Sequence, residues 1–272
     1  MNTKIEFIKN IPNELGLKKN LHHIIVVDPA SEKYPFETLL KSKLKRVGKK
    51  LTDLSKTPVS TELDNGAIIS WIGYSSDLST FKINTLIRKG FNILSQEKPT
   101  EISISFLPKN INESWVNACV YVSLVNSQAL PNLKKGAKNV VLKKIILAGI
   151  NKFDLSKTLA LVKGNTLTRN LTITPPNNLT PTIYKAKIKQ LAKLHKWVYK
   201  DYSMVQLKKM GAGAFVAVGQ GSEPEDAVIV HLKYTAKNSK KTIALVGKGI
   251  CFDTGGHNLK PAKYMSGMHE DM

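Results

Sequence analysis

The chain has 272 residues, 42% of them hydrophobic, enough for one large or two ordinary domains with a full core, so it need not be disordered. Lys and Arg number 41 against 20 Asp and Glu, a formal net charge of +21 that draws the chain toward polyanions without specifying a fold. Two cysteines, Cys119 and Cys251, exclude a disulfide framework and multi-cysteine zinc modules.

In chain order, Met1–Asn20 has no apolar core of signal-peptide type. No later run reaches the ~18–20 apolar residues that cross a bilayer. A cytoplasmic protein with no membrane partner is expected. Ile24 to Val27, closed by Asp28-Pro29, reads as a buried strand, and Ile68 to Ile72 follows the turn signal Asp64-Asn65-Gly66. Leu78, Phe81, Leu86, Ile87 and Phe91 share a helical face, with Ser79 as N-cap. Ile102, Ile104 and Phe106 alternate as in a half-buried strand. Ile111, Trp115, Ala118, Val122 and Val125 step as an amphipathic helix, and Val140 to Leu147 is β-like. Alternation of strands and helices predicts an α/β domain over residues 1–150.

A helix starting near Ser156 then leads to Thr174-Pro175-Pro176-Asn177-Asn178, where consecutive prolines forbid regular helix. Residues 151–180 are read as a linker helix and Pro-rich turn. Thr180-Pro181 restarts a helix that runs to Lys196. Ser203 with Gln206 predicts a capping box, ended by Gly211-Ala212-Gly213. Ala214 to Val218, Ala227 to Tyr234 and Thr242 to Val246 are three strand candidates.

Two lysine clusters stand out: Lys41, Lys43, Lys45, Arg46, Lys49 and Lys50, then Lys134, Lys135, Lys138, Lys143 and Lys144. Solvated faces are the favoured reading. A nucleic-acid footprint is the alternative, but no helix-turn-helix, zinc finger or RNA-binding aromatic signature accompanies them.

The chemistry is concentrated in the last 30 residues. Leu245 to Gly256 begins as a buried strand and breaks into a glycine-rich loop. A P-loop fails, because Thr242 and Gly249 stand where glycine and Ser or Thr are needed. A dinucleotide fingerprint fails at Val216, and no Gly-x-Ser-x-Gly elbow occurs. Lys248, Asp253, Lys260 and Asp271 remain, with Asp253 just past a strand end, where α/β sheets place ligands.

Together with their neighbours these residues resemble the leucyl aminopeptidase family, the cytosol-type two-metal aminopeptidases. The blocks are Val246-Gly247-Lys248-Gly249, Phe252 to Gly256, Leu259-Lys260-Pro261 and Met268-His269-Glu270-Asp271-Met272. Upstream, Met210-Gly211 with Ala217 to Ser222, and Arg169-x-Leu171 through Pro175 and Asn177 to Thr180-Pro181, extend the resemblance over about residues 155–272. It implies that Lys248, Asp253 and Asp271 are metal ligands for two divalent ions, Mn or Zn, with Mg or Co as alternatives. Lys260 would be catalytic, stabilising the developing oxyanion. Peptides would lose their N-terminal residue, leucine-like side chains preferred. His257 and His269 are taken as bystanders, and Ile173 stands where the family usually has asparagine.

The resemblance also implies a homo-hexamer, and bicarbonate as general base held by an arginine. The family pattern continues past the Asp-Met pair with further carboxylates, so residues 181–272 are read as the start of a metallopeptidase domain with a mixed sheet. The expected fold is thus α/β: an N-terminal α/β accessory domain, a linker helix and the first part of a catalytic domain. Truncated there, the chain is expected to have little or no activity alone. Its rival readings are a nucleic-acid-binding protein, as some bacterial relatives are, or a non-catalytic remnant.

Overall fold

A computed structural model describes residues 3–11, 21–30, 34–132, 134 and 140–270. The chain divides into two compact units, Met1–Leu167 and Thr168–Met272. Among the described residues no helix is long and apolar enough to cross a membrane.

The first unit is built on six strands: β1 (Lys4–Ile8), β2 (His22–Val27), β3 (Val59–Glu62), β4 (Ile68–Gly73), β5 (Glu101–Phe106) and β6 (Lys144–Ala148). Their order is β1-β6-β5-β2-β4-β3, parallel except for β3, which pairs antiparallel with β4 at one edge. Helices α1 (Glu37–Arg46), α2 (Thr80–Ser95) and α3 (Glu113–Asn126) connect them. A parallel sheet must be covered on both faces, and β2 shows how. Ile24 and Val26 join a core with Ile83, Ile87 and Phe91 of α2 and Trp115 and Val122 of α3. Ile25 and Val27 join a second core with Leu40 and Leu44 of α1, Leu54, Ile69 and Trp71. Each fully buried Ile or Leu here contributes roughly 1.5–3 kcal/mol.

Ser79 caps α2 by accepting the N–H of Lys82, as the sequence predicts. Two expectations are corrected. Strand β5 is buried on both faces, Ser103 and Ser105 included, rather than half-buried, because it lies inside the parallel sheet between β6 and β2. Helix α3 is buried on most sides, with Val116, Cys119, Val120 and Leu124 inside as well as the expected face. Its ring contact with Tyr74 and the Trp115 Nε1–H bond to the Ser75 carbonyl (3.2 Å) fix its start. Strand β1 and helix α1 carry no distinct apolar signal and were outside the predicted elements. In the second lysine cluster, Lys135 and Lys138 lie outside the described residues.

Two histidines begin β2. His22 Nδ1 accepts the Ile68 N–H (2.9 Å), and its Nε2 lies 3.2 Å from Glu97 Oε2. His23 is buried with no hydrogen-bond partner at Nε2. Burial, reinforced by neighbouring His22, pushes its imidazole down from 6.5 to about 4.

Helix α4 (Ser156–Ile173) starts where Ser156 predicts and carries the boundary between the units. In the first unit it is held by Thr158 Oγ1–H to Asn117 Oδ1 (2.6 Å) and by Asn165 Nδ2–H to Tyr121 Oη (3.1 Å).

Two stability predictions follow from these cores. Ile24→Ala is expected to lower unfolding free energy by about 2–5 kcal/mol, while exposed Phe81→Ala changes it by less than about 0.5 kcal/mol, read from urea midpoints. Below pH 6.5 the unfolded chain takes up a proton at His23 that the folded chain refuses until about pH 4. Stability therefore falls as pH drops through that window, by about 3 kcal/mol for this group. His23→Leu should flatten the slope of unfolding free energy between pH 6.5 and 4.

Candidate metal-binding loop

The second unit is introduced by the Pro175-Pro176 turn and helix α5 (Pro181–His195). Thr180 Oγ1 accepts the Ile183 N–H and Pro181 occupies the first turn, the cap that the Thr-Pro pair predicts. Asp226 Oδ2 accepts the N–H (3.1 Å) and hydroxyl (2.8 Å) of Thr182, tying the helix start to the segment that enters β8. Strands β7 (Val198–Ser203) and β8 (Val228–Lys233) pair antiparallel. Helix α6 (Met204–Lys209) begins with the predicted capping box of Ser203 and Gln206.

Two expectations on this unit are corrected. Ala214 to Val218 lies in helix α7 (Gly213–Gly219), not in a strand. A short apolar run does not distinguish the two, and here Gly219 approaches Met204 so closely that an added Cβ would sit 3.0 Å from its sulfur. Thr242 to Val246 forms no strand: Leu245 is 93% and Val246 100% exposed. An apolar run of this kind needs neighbours on both sides, and no described strand pairs with it. Among the described residues the sheet of this unit is the antiparallel pair β7-β8.

The loop after this segment is specific. Asp253 Oδ1 accepts the Gly255 N–H at 3.0 Å. Gly255 adopts φ 91°, and a Cβ there would stand 2.5 Å from the Asn258 carbonyl oxygen and 3.2 Å from Lys260 Cγ. The Lys260 N–H returns to the Thr254 carbonyl at 2.9 Å. The loop thus closes on itself and swings Lys260 back over Asp253. Lys260 Nζ lies 3.2 Å from Asp253 Oδ2, and Lys248 Nζ lies 3.8 Å from the same oxygen. Three of the four predicted site residues therefore converge on one carboxylate oxygen. Asp271 lies outside the described residues.

The Gly255 N–H, and after it the Lys260 ammonium, hold the Asp253 carboxyl below the usual carboxylate range. Lys260 Nζ also donates to Met268 Sδ at 2.9 Å. Beside it a shallow hollow of about 570 Å3 is lined by Pro176, Phe252, Leu259, Met265 and His269. His257 is exposed. The roles of Met268, Pro176 and Met265 around Lys260 were not legible beforehand. Met268 stands in a quoted motif, but nothing in a motif says which side chain its thioether meets.

The donor chemistry fits one side of a divalent-cation site. Lys248 offers an amine once its ammonium gives up a proton, Asp253 offers a carboxylate, and donors each about 2.0–2.2 Å from an ion can stand as far apart as these two. Among the described residues no group of three or more His, Cys, Asp or Glu converges.

Fold and loop together describe an α/β chain whose second unit carries a Lys-Asp-Lys cluster on a glycine turn. Residues 166–272 match the family model described as the cytosol aminopeptidase family, catalytic domain. These residues, and with them the chain, belong to the cytosol aminopeptidase family. The cytosol aminopeptidase of Buchnera aphidicola subsp. Acyrthosiphon pisum (strain APS) is 31% identical over 214 residues, 74% of this chain and 43% of that protein. A probable cytosol aminopeptidase of Clostridium tetani (strain Massachusetts / E88) is 32% identical over 233 residues, 77% of this chain and 48% of that protein. The chain thus spans less than half the length of these two curated relatives. A tomato leucine aminopeptidase mutant, K354E, shares the fold with a TM-score of 0.72 at 19% identity, over 93% of this chain and 55% of that one. The bottromycin maturation enzyme BotP in complex with Mn gives a TM-score of 0.71 at 19% identity, over 93% of this chain and 53% of that one.

If the loop geometry sets the Asp253 carboxyl, Gly255→Ala should raise its titration midpoint toward the usual carboxylate value in metal-free buffer. Carbon-13 NMR of the aspartate side chains, with Asp253→Asn to assign the signal, reads this directly.

Proposed function

We propose that residues 166–272 build one side of a metalloaminopeptidase active site that acts on the N-terminal residue of peptides. The observation that carries this is the convergence of Lys248 and Lys260 on Asp253 Oδ2 within a family catalytic segment. Lys248 and Asp253, joined by Asp271, are the ligands. Amine and carboxylate donors suit Mn, Zn, Co or Mg. Cations held there would polarise the scissile carbonyl and supply a water activated at neutral pH.

This chain's own groups do the rest. Asp253 is oriented before any ligand arrives, because the Gly255 N–H pins one of its oxygens. Lys260 supplies the loop with a positive charge for a developing oxyanion. The apolar hollow of Phe252, Leu259 and Met265 suits a leucine-like side chain next to the reacting bond.

Charge balance limits what the chain does by itself. Two divalent ions bring four positive charges, and Asp253 and Asp271 return two. A second ion is then held weakly, since uncompensated charge in a site is costly. Further carboxylates, bicarbonate as base and a hexamer belong to the complete family site, as does its cytoplasmic setting.

The exposed basic side chains of α1, Lys45 and Arg46 with nearby Lys50, favour a second reading, a nonspecific nucleic-acid surface. Retention on DNA that collapses with added salt would support it, and no retention at low salt would end it.

For the main reading, Co2+ added to the 272-residue chain is expected to give ligand-field absorption that Asp253→Asn and Lys248→Met each abolish. Hydrolysis of leucine p-nitroanilide by the chain alone, with Mn2+ or Co2+, is expected to be slight or nil. Rapid metal-dependent turnover would overturn the charge-balance argument. Unchanged absorption in Asp253→Asn would overturn the ligand assignment.

A further inference from the structure

The two oxygens of Asp253 are engaged differently. Oδ1 is taken by the Gly255 N–H at 3.0 Å, in a turn that the φ of Gly255 makes possible. The Oδ2 that remains already carries a cation, since Lys260 Nζ is 3.2 Å from it and closer than Lys248 Nζ at 3.8 Å. A divalent ion binds a carboxylate oxygen at about 2.0–2.2 Å. An ammonium sharing that oxygen would then face a double charge a few ångströms away, so the two compete for one site.

Lys260 is built to hold this position and to leave it. Its backbone N–H is fixed to the Thr254 carbonyl, and its Cγ lies over Gly255. The outer carbons and the ammonium are free of that anchor, and the side chain is 29% exposed. Among the described residues its ammonium also meets the thioether of Met268, a weak acceptor that does not replace a carboxylate. Once displaced, the ammonium reaches water without moving the loop.

We infer that Lys260 is the counter-ion of Asp253 in the metal-free chain, and that a divalent cation binds only by displacing it. Lys260 therefore sets metal affinity in addition to its part in the reaction. It keeps the carboxylate in its ligating orientation while the site awaits metal, at the cost of weakening the metal's hold. The inference rests on the reading of Asp253 as a ligand.

Mn2+ titration of the 272-residue chain, followed by the EPR signal of the free ion, separates the two claims. Lys260→Met and Lys260→Gln are expected to bind Mn2+ roughly three- to tenfold more tightly than the parent chain. Lys260→Arg, which keeps the charge, should stay near the parent value, and Asp253→Asn should bind no Mn2+ at this site. Circular dichroism of each variant checks that the fold is kept. If Lys260→Met and Lys260→Gln bind no tighter than the parent while Asp253→Asn loses the ion, the counter-ion role is wrong and the ligand reading stands. If Asp253→Asn binds as the parent does, or no variant binds at all, the ligand reading itself fails and takes the inference with it.

Discussion

Two lysine ammonium groups share a single oxygen of Asp253, and the nearer of them, Lys260, is there because one glycine lets the chain turn back on itself. The Gly255 N–H fixes one carboxylate oxygen, and the positive φ lets the chain return so that Lys260 covers the other. A side chain seven residues from Asp253 is thereby brought onto it without a regular element to hold it. In most α/β sites strand ends and helix starts do this work. Here the turn does it alone, since the segment before the loop pairs with no described strand.

The two units contrast in how their apolar residues are satisfied. In Met1–Leu167 each face of the central strands has its own cover, so that even the serines of β5 are buried. In Thr168–Met272 large apolar side chains such as Ile243, Leu245 and Val246 stand in solvent. The first unit is a closed hydrophobic structure, with protonation at His23 opposing its stability in acid. The second carries the candidate site on a lightly covered frame, where interactions between charged groups and backbone amides hold the loop.

What the sequence disclosed follows from the range of each interaction. Caps at Ser79, Thr180 and Ser203 act within three residues, and all three were legible. The run Ile24 to Val27 of β2 was legible because four consecutive apolar residues fit a strand buried on both faces. Ala214 to Val218 misled, because five apolar residues fit a helix turn or a strand equally, and packing against Met204 decides between them. Thr242 to Val246 misled for the opposite reason: a strand pattern becomes a strand only when a partner is beside it. At the site, the identities of Lys248, Asp253 and Lys260 came from motif resemblance. Their common focus on one oxygen came only from the fold of the loop, as did the thioether contact of Met268. Glycine pairs announce a turn but not its direction.

The central claim is that Lys248 and Asp253 bind a divalent cation in place of the Lys260 contact. A crystal of the chain grown with Mn2+ and measured at the manganese absorption edge tests it most directly. The account predicts an anomalous peak bonded to Asp253 Oδ2 and Lys248 Nζ, with the Lys260 ammonium moved off the carboxylate. A peak bonded to neither residue, or one bonded to Asp253 Oδ2 with Lys260 still paired to it, would contradict the account.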